Sequence, residues 1–520
     1  MDSQTGPKIP NPDDFFAKVE TGPAKPEAQE VQAELKVEPT AKVTPPLVGV
    51  SRPGVFPTTP SAPTSPSPAA TAPKIPEDFL PASENPKRKL LLVAGFLIVL
   101  AVVLLVFKTL FAKIGKKDKE VSLVYWGLWE PESVMSSIIA DYQKDHPKVK
   151  ISFVPHLGES AQRYRERLSA ALATGESPDI FRFHNTWVPM LKEHLSPVPA
   201  SVMDSATFER LYYPVVRSDL RVANGYVGLP LMMDTLALFY NEEIFQTAGK
   251  VPPKTWDELR KTAAELTVRD VTGKIQTAGV ALGVTNNIDH WSEILGLMLL
   301  QNGASLANPA DPKLAQLASD AILYYTTFYG RDRVWDVSLP SSTYYFASGR
   351  LAMYFGPSWR VFEIKALNPS LKFKVISFPQ FPGATESWVT WATYWVEGVS
   401  KKSLNQEAAW EFLKYLSSKE VMEKLYQAES QLRLFGEPYA RTDMADLLKK
   451  EPLVGVFIEQ AAMAKSWYLC SRTFDNGIND KIIKYYEDAI NAVNKGANPQ
   501  TVLATIGNGV TQVLSQYGVK

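Results

Sequence analysis

One uninterrupted apolar run divides the chain into two parts of different character. Leu90–Phe107 contains eighteen residues without a charge, an amide or a hydroxyl group. As a helix this run would rise about 27 Å, close to the roughly 30 Å hydrocarbon core of a bilayer. A buried helix of a soluble core is the alternative, although such helices normally keep a polar stripe. The run therefore predicts one transmembrane helix, which with its basic flanks occupies residues 87–112.

Beyond residue 120 the hydrophobic periodicity alternates between that of strands and that of helices. Strand patterns cover Val121–Trp126, Lys148–Pro155 and Asp179–Phe183, and helix patterns cover Ser133–Lys144 and Ser160–Thr174. This order predicts an α/β fold with a parallel, doubly wound sheet and right-handed crossovers. Ligands of such sheets bind beyond the carboxyl ends of the strands.

The later part of the chain continues this mixture and then becomes mostly helical. Thr255 and Glu258 have the spacing of a capping box. Ser403 is expected to cap another helix, and nearly everything after it is expected to be helical. Further helices are predicted at Trp291–Gln301, Asp311–Tyr329 and Ser358–Ala366, and further strands at Ala278–Leu282, Leu351–Phe355, Phe373–Ile376 and Tyr394–Val399.

The segment before the apolar run has the composition of a disordered tail. Residues 1–86 hold 18 of the 39 prolines and no Trp, Tyr or Cys. Such a segment cannot build a core. A string that begins Pro-Lys-Ile-Pro and continues to an acidic-aromatic pair occurs twice, at Pro7–Phe16 and Pro73–Leu80. It is either a bivalent docking motif for a cytosolic partner or a chance match in a proline-rich region.

Composition excludes several functional classes. The chain has 55 basic and 55 acidic side chains, so no bulk charge is available to attract nucleic acid. The single cysteine, Cys470, excludes an intramolecular disulfide framework and a cysteine-based zinc site. No metal and no cofactor are expected. About 400 residues after the apolar run exceed one ordinary core, so two lobes are expected.

Five segments in order resemble extracellular solute-binding proteins of the large sugar-binding group that includes maltose-binding protein. They read VYWGLWEP, SPDIFRFHNTWVPML, YVGLPLMMDTLALFYNEEIF with PKTWDEL, FASGRLAMYFGPSW, and YWVEGVSKKSLNQEAAWEFLKYL. The resemblance implies a two-lobed, type II periplasmic-binding-protein-like fold with discontinuous lobes over residues 120–520. The first lobe would comprise about 120–231 and 393–440, and the second about 236–392 and 441–520.

The resemblance also implies a function. Ligand would bind between the lobes, which close by hinge motion and present the closed form to ABC permease subunits. The expected protein is a membrane-anchored substrate-binding subunit for a sugar or oligosaccharide, with a cytoplasmic N-terminus and an extracellular binding domain. Basic residues flank the apolar run on both sides and slightly favour the opposite orientation, so charge alone does not fix the topology. The alternative is a ligand-sensing receptor or scaffold whose tail recruits a partner.

Aromatic and polar residues supply the candidate site. A sugar offers apolar C–H faces and a ring of hydroxyl groups, so its cleft needs flat aromatic surfaces with carboxylates and amides. The aromatic candidates are Trp129, Trp187, Trp291, Trp359, Trp391 and Trp467, each of which could instead pack within a lobe.

The favoured polar candidates are Glu130, Asn185 and Asp234. Asp234 is the strongest, because a carboxylate in an apolar stretch needs a partner. The resemblance places it where the chain first crosses between lobes. An internal salt bridge or a turn cap is its alternative, and Glu130 could cap the following helix. Weaker candidates are His184, Asn287, Asp289 and His290, and Arg433 and Arg472 could hold a carboxylate or bridge the lobes.

Catalysis finds little support in the sequence. No phosphate-binding glycine loop and no His-Glu-x-x-His motif is present. Glu130 and Asp234 could be taken for the carboxylate pair of a glycosidase. Carboxylates that bind sugar hydroxyls would produce the same impression, so a binding protein rather than an enzyme is predicted.

Overall fold

The computed structural model describes residues 99–102, 120–223, 225–381 and 388–519. Residues 99–102 are helical and exposed; the remainder of the predicted transmembrane run and the proline-rich tail lie outside the described residues. Among the helices in these ranges, none combines the length and the apolar character needed to cross a bilayer.

The described chain alternates strands and helices. The strands are β1 Val121–Gly127, β2 Val149–Pro155, β3 Ile180–His184, β4 Arg221–Val222, β5 Gly225–Tyr226, β6 Asp234–Thr235, β7 Ala237–Asn241, β8 Val268–Arg269, β9 Ile275–Val280, β10 Leu351–Gly356, β11 Phe373–Ile376, β12 Thr390–Thr393, β13 Trp395–Val399 and β14 Ala464–Lys465. The helices of the first half are α1 Glu132–Asp145, α2 Ala161–Thr174, α3 Val188–Leu191, α4 Ser205–Leu211, α5 Pro214–Asp219, α6 Glu242–Thr247, α7 Trp256–Leu266 and α8 Trp291–Gln301. The helices of the second half are α9 Ala315–Gly330, α10 Ser342–Ala347, α11 Arg360–Leu367, α12 Gln406–Leu416, α13 Lys419–Ser430, α14 Ala445–Leu448, α15 Gly455–Glu459, α16 Ile478–Asn494 and α17 Pro499–Gln516.

The first lobe is built on a four-stranded sheet in the order β13-β3-β1-β2. β1 pairs in parallel with β2 and β3, which confirms the predicted parallel sheet, and β13 adds an antiparallel edge. Leu123, Ile138 and Leu168 from β1, α1 and α2 are almost completely buried in its core. That core takes residues from 123–233 and again from 392–464.

The second lobe is built on a five-stranded mixed sheet in the order β11-β7-β10-β9-β8. β10 pairs in parallel with β9 and antiparallel with β7. A separate core covers this sheet, with α8, α9, α16 and α17 among its helices, and takes most of its residues from 236–378 and 435–514. Two cores built from interleaved stretches of one chain confirm the predicted two-lobed α/β fold.

A small three-stranded sheet lies where the chain passes between the two cores. Its order is β14-β12-β6, with Thr393 paired to Asp234 and Trp391 paired to Lys465. On β12, Trp391 belongs to the second core and Ala392 to the first. The ladder between these strands therefore connects the lobes.

Of three local predictions, one is confirmed and two are wrong. The capping box is confirmed: the Thr255 hydroxyl accepts from the Glu258 amide, and the Glu258 carboxylate accepts from the Thr255 amide. The cap by Ser403 is wrong, because α12 begins after Asn405 without a side-chain cap and the Ser403 hydroxyl instead donates to Asp179. The expectation of an almost wholly helical end is wrong for residues 466–477, which form an irregular segment.

Candidate functional site

A cleft with an empty volume of about 1310 Å³, part of it open to solvent, lies between the lobes. Both lobes and the connecting strands supply its walls. Its lining residues are Trp129, Gly158, Glu159, Ala161, His184, Met232, Asp234, His290, Glu293, Trp359, Glu363, Thr393, Tyr394, Trp395, Arg433, Glu437, Ser471, Arg472, Thr473 and Phe474.

The first lobe contributes an aromatic wall made of Trp129, His184 and Trp395. Trp129 lies in the turn after β1, and Trp395 and His184 are directly opposite each other on β13 and β3. The Trp395 ring meets Trp129 edge to face with 4.8 Å between ring centroids, and it meets His184 at 5.2 Å. These contacts fix the orientation of the wall, because edge-to-face rings attract through their quadrupoles.

His184 is held as a neutral imidazole at physiological pH. Its two ring nitrogens lie 2.8 Å from the Thr186 hydroxyl and 3.0 Å from the Thr393 hydroxyl. Burial lowers the pKa of His184 to about 3, because desolvation disfavours the imidazolium form. Both ring nitrogens are therefore engaged with threonine hydroxyls, and His184 contributes an uncharged ring surface to the cleft.

The second lobe contributes Trp359 and Phe474. Trp359 lies just before α11, with the Arg360 guanidinium 4.3 Å from its ring centroid and His290 at 5.7 Å. Phe474 keeps 40% of its surface exposed, which is unusual for a phenylalanine in a folded core. An exposed ring in a cleft is available to a ligand's apolar face.

Phe474 belongs to a segment with a strained backbone. Arg472, Phe474 and Asn476 have φ values of 62°, 44° and 45°, and His290 across from them has 61°. Non-glycine residues rarely adopt this left-handed region. Such strain persists only where surrounding contacts impose it, and it concentrates at functional sites.

Buried ion pairs hold this strained segment. Arg472 donates to Asp289 at 2.6 Å, and Asp289 also lies 3.3 Å from the Arg360 guanidinium. Burial opposes ionisation of Asp289, but the two guanidinium groups hold its pKa below the ordinary value. The Glu293 carboxylate accepts from the amide and the hydroxyl of Ser471, both at 2.7 Å.

Asp234 lies between the lobes on β6, where its carboxylate is almost completely buried. One oxygen accepts from the amide and the hydroxyl of Ser358 at 2.8 and 2.7 Å, and the other accepts from the Thr235 amide. Burial raises the pKa of Asp234 to about 7, and the nearby Glu437 charge adds to the rise. The group therefore changes charge near neutral pH.

A second ionic cluster contributes to the lining of the cleft. Arg433 donates to Glu429 at 2.7 Å and to Glu437 at 2.9 Å. Burial raises the pKa of Glu429 to about 7 even though Arg433 opposes the rise. Both guanidinium groups of the cleft, those of Arg433 and Arg472, are thus already engaged with carboxylates, which leaves less positive charge for an anionic ligand.

The structure places the predicted site residues in two groups. Those that line the cleft are Trp129, His184, Asp234 and Trp359, together with the weaker candidates His290, Arg433 and Arg472. Those that do not line it are Glu130, Asn185, Trp187, Asn287, Trp291, Trp391 and Trp467, together with Asp289.

The polar residues of the second group have structural partners. Glu130 is buried and paired with Arg182 instead of capping α1. Asn185 donates to Asp219 and Ser466, both at 2.8 Å. The Asn287 side chain donates both amide hydrogens to backbone carbonyls and accepts from an indole N–H, all inside the second lobe.

The tryptophans of the second group are packing residues. Trp187 is 1% exposed in the first core, where its ring contacts Trp395 from behind the wall. Trp391 is fully buried against Gly296 of α8, so that a β-carbon on that glycine would lie 2.8 Å from the indole. Trp291 is almost buried in the second core, and Trp467 packs beside Tyr468.

Sequence reasoning missed Trp395, Phe474 and Glu437. Trp395 lies inside a predicted strand, where aromatic residues are common, so nothing marked it as part of a cleft wall. Phe474 and Glu437 lie in stretches after Ser403 that had been expected to be helical. A search for breaks in that helical pattern, such as Asp475-Asn-Gly477, would have found the loop that carries Phe474.

The arrangement favours non-covalent binding of an uncharged polar ligand. Aromatic faces on both lobes can cover apolar ligand surface, and the Asp234 oxygen that accepts only from the Thr235 amide can accept a further hydrogen bond from a hydroxyl group. In the part of the chain that the structure describes, no group of three or more His, Cys, Asp or Glu side chains is arranged to hold a metal ion.

Comparisons with known proteins agree with this fold. A maltotriose-binding protein of Pyrococcus abyssi is 22% identical over 319 residues, which are 58% of this chain and 64% of that protein. A multiple sugar-binding protein of Streptococcus mutans is 23% identical over 327 residues, 60% of this chain and 75% of that protein. The chain thus spans just under two thirds of the Pyrococcus relative.

A solved structure agrees over a longer stretch. The crystal structure of a cyclo/maltodextrin-binding protein complexed with maltotetraose is 18% identical and superposes with a TM-score of 0.61. The superposition covers 78% of this chain and all of that one. The sequence model for bacterial extracellular solute-binding proteins matches residues 128–423, more than half of the chain. Together with the two lobes and the cleft between them, this match shows that the chain belongs to the bacterial extracellular solute-binding protein family.

Proposed function

We propose that the protein binds a sugar or oligosaccharide in the interlobe cleft and serves as the substrate-binding subunit of an ABC importer. The observation that carries this proposal is the pair of aromatic surfaces on opposite lobes, Trp129 with Trp395 and Trp359 with Phe474. A ligand with two apolar faces and a hydroxyl rim matches such a cleft. The names of the relatives, which specify maltotriose and multiple sugars, support the same ligand class.

Charge supports an uncharged ligand over an anionic one. The two cleft arginines already contact Asp289, Glu429 and Glu437. An anion would have to displace one of these carboxylates or share its guanidinium group. A hydroxyl group needs only a single acceptor or donor at the cleft surface, and the Asp234 carboxylate offers an acceptor.

The proposed mechanism is closure of the two lobes on the ligand. We assign about 120–231 and 393–440 to the first lobe, and about 236–392 and 441–520 to the second. The three-stranded sheet of β6, β12 and β14 would act as the hinge, because it lies between the two cores. A ligand that contacts both walls binds the closed state more tightly than the open state. The difference between these two binding free energies is what shifts the equilibrium towards closure.

The proposed setting is the cell surface. In this arrangement the apolar run Leu90–Phe107 anchors the protein in the membrane, the binding domain is extracellular and the proline-rich tail is cytoplasmic. Permease subunits would receive the closed form, and the tail is the region available to a cytosolic partner. The mechanism requires no bond to be broken in the ligand, so the protein would be a binding protein and not an enzyme.

The direct test is a thermal-shift and calorimetric screen of the full chain against neutral mono- and oligosaccharides, with maltotriose included. At a free ligand concentration one hundred times Kd, binding stabilises the folded state by about 2.7 kcal/mol. We expect at least one neutral sugar to raise the melting temperature and to titrate with one site per chain. Flat melting curves across the whole panel would contradict a carbohydrate ligand.

A further inference from the structure

A buried ionic cluster lies directly beneath the aromatic wall of the first lobe. The cluster consists of Arg182 on β3, Glu397 on β13 and Glu130 in the turn after β1. The Arg182 guanidinium donates to both carboxylates, with its Nε 2.8 Å from Glu397 Oε1. The exposed fractions of the three side chains are 2%, 1% and 5%, so water does not screen their charges.

The sheet register and the chain sequence place all three cluster residues next to the aromatic wall. Glu397 is opposite Arg182 in the β13–β3 ladder, and Trp395 is opposite His184 two residues away. Because residues two apart in a strand point to the same face, the ion pair and the aromatic pair are neighbours on that face. The third member, Glu130, directly follows Trp129 in the chain.

When both carboxyl groups are ionised, the cluster carries two negative charges and only one positive charge. Two ionised carboxylates and one guanidinium would leave a net charge of about −1 in a buried site. Moreover, the second oxygen of Glu130 is buried without a hydrogen-bond partner among the described residues, and the second oxygen of Glu397 is buried with only the uncharged Tyr125 phenol beside it. A buried, unpaired carboxylate oxygen is costly, and protonation of one carboxyl removes the excess charge.

Among the described residues, the titratable groups that face Glu397 do not include a second positive charge. Tyr125 from β1 and Tyr164 from α2 face the cluster as neutral phenols. Arg433, after α13, faces Glu130, but it is already shared between Glu429 and Glu437. Burial, followed by the Glu130 charge, raises the pKa of Glu397 although Arg182 opposes the rise.

We propose that Arg182, Glu130 and Glu397 form a singly protonated cluster that positions Trp129 against Trp395, and that loss of its proton as the pH rises weakens ligand binding. Deprotonation leaves two buried carboxylates in mutual repulsion, one attached to the turn that carries Trp129 and the other to the strand that carries Trp395. The three are positioning residues, since none of them lines the cleft. The effect on ligand rests on the proposed function, whereas the positioning of the indoles does not.

The test monitors the geometry of the Trp129 and Trp395 indole rings in the absence of ligand. Indoles in close contact give an exciton band in circular dichroism whose amplitude depends on their mutual geometry. We expect this band in the full chain to change in one step as the pH is raised across the range in which the protein stays folded. Glu397→Gln fixes the uncharged form, so this variant should keep the low-pH amplitude throughout. Glu130→Gln neutralises the other carboxyl and serves as the second variant if the first does not fold.

The matched control is Glu411→Gln, which changes a half-exposed carboxylate of α12 outside the cluster and should leave the wild-type step intact. In a parallel titration with maltotriose, we expect Kd of the wild type to rise about tenfold across the step, as for loss of one aromatic contact. The Glu397→Gln variant should show no such rise in Kd. A wild-type band without a step, or a step retained in both Gln variants, would overturn the proposal. Absence of maltotriose binding at every pH would count against the proposed function while the band still decides the role of the cluster.

Discussion

At the scale of single residues, the decisive property of the site is how each polar group is held. Asp234 was predicted from its position in an apolar stretch, and it does line the cleft. The sequence could not show that its oxygens already accept from Ser358 and Thr235. Asp234 therefore lines the cleft and also accepts local backbone hydrogen bonds, as the turn-cap alternative expects, while its contact with a ligand stays a prediction.

The raised pKa of Asp234 predicts a pH-dependent affinity. Its pKa of about 7 means that the group is mostly protonated at about pH 6 and mostly ionised at about pH 8. Hydrogen bonds to an ionised acceptor are stronger by about 1 kcal/mol than neutral ones. We therefore expect sugar affinity, measured by calorimetry, to rise about fivefold from pH 6 to pH 8.

The Asp234→Asn variant should lose this rise and bind at every pH with the weaker, low-pH affinity of the wild type. Asp179→Asn is the matched control, because Asp179 likewise accepts from a backbone amide and a serine hydroxyl but lies outside the cleft lining. A pH profile of Asp234→Asn that coincides with that of the wild type would remove Asp234 from the binding site.

At the scale of elements, the strands and helices of the first lobe follow the periodicity of the sequence closely. Each predicted element from Val121 to Phe183 exists, with bounds shifted by at most two residues. Local periodicity is enough there, because every element buries one face against its immediate neighbours. The antiparallel edge strand β13 pairs with β3 from more than two hundred residues away, and no local pattern reveals such pairing.

Packing between elements depends on glycines that the periodicity does not mark. A β-carbon on Gly279 of β9 would lie 2.0 Å from the Ala263 carbonyl oxygen of α7, a backbone atom that cannot rotate away. We expect Gly279→Ala to lower the free energy of unfolding by about 2 kcal/mol or more, because α7 must shift from the sheet. Chemical denaturation measures this change.

The control for Gly279→Ala is Gly330→Ala at the end of α9. No atom lies within 4 Å of a β-carbon built there, and its backbone φ is not positive. This variant should leave the stability unchanged within about 0.5 kcal/mol. Equal destabilisation by the two substitutions would show that the contact between β9 and α7 is looser than described.

At the scale of the whole molecule, the sequence predicts the two lobes. It predicts only some of the residues that line the cleft between them. Composition and length indicated two cores, and the order of matching segments indicated the interleaved lobes. Which tryptophans face the cleft depends on how the lobes meet: Trp391 and Trp395 are four residues apart, yet the first is buried in the second core and the second lines the cleft. Spacing in the sequence cannot distinguish these two outcomes.

Lobe closure predicts a change in overall size. A ligand that bridges the walls favours the closed state, so a saturating sugar should reduce the radius of gyration of the protein measured by small-angle X-ray scattering. The Trp359→Ala variant at the same sugar concentration should show a smaller reduction, because one wall loses its contact. An unchanged radius of gyration in the presence of a sugar that binds by calorimetry would contradict the hinge mechanism.

The proposed binding mode requires one ligand to contact both lobes at once. Calorimetric titration of the same sugar into Trp129→Ala, Trp359→Ala and the control Trp388→Ala tests it most directly, since Trp388 is 46% exposed and lies outside the cleft lining. We predict that the first two variants each raise Kd about tenfold, while the control leaves Kd unchanged. A rise in Kd for only one of the two cleft variants would place the ligand on a single lobe and rule out a ligand that bridges the lobes.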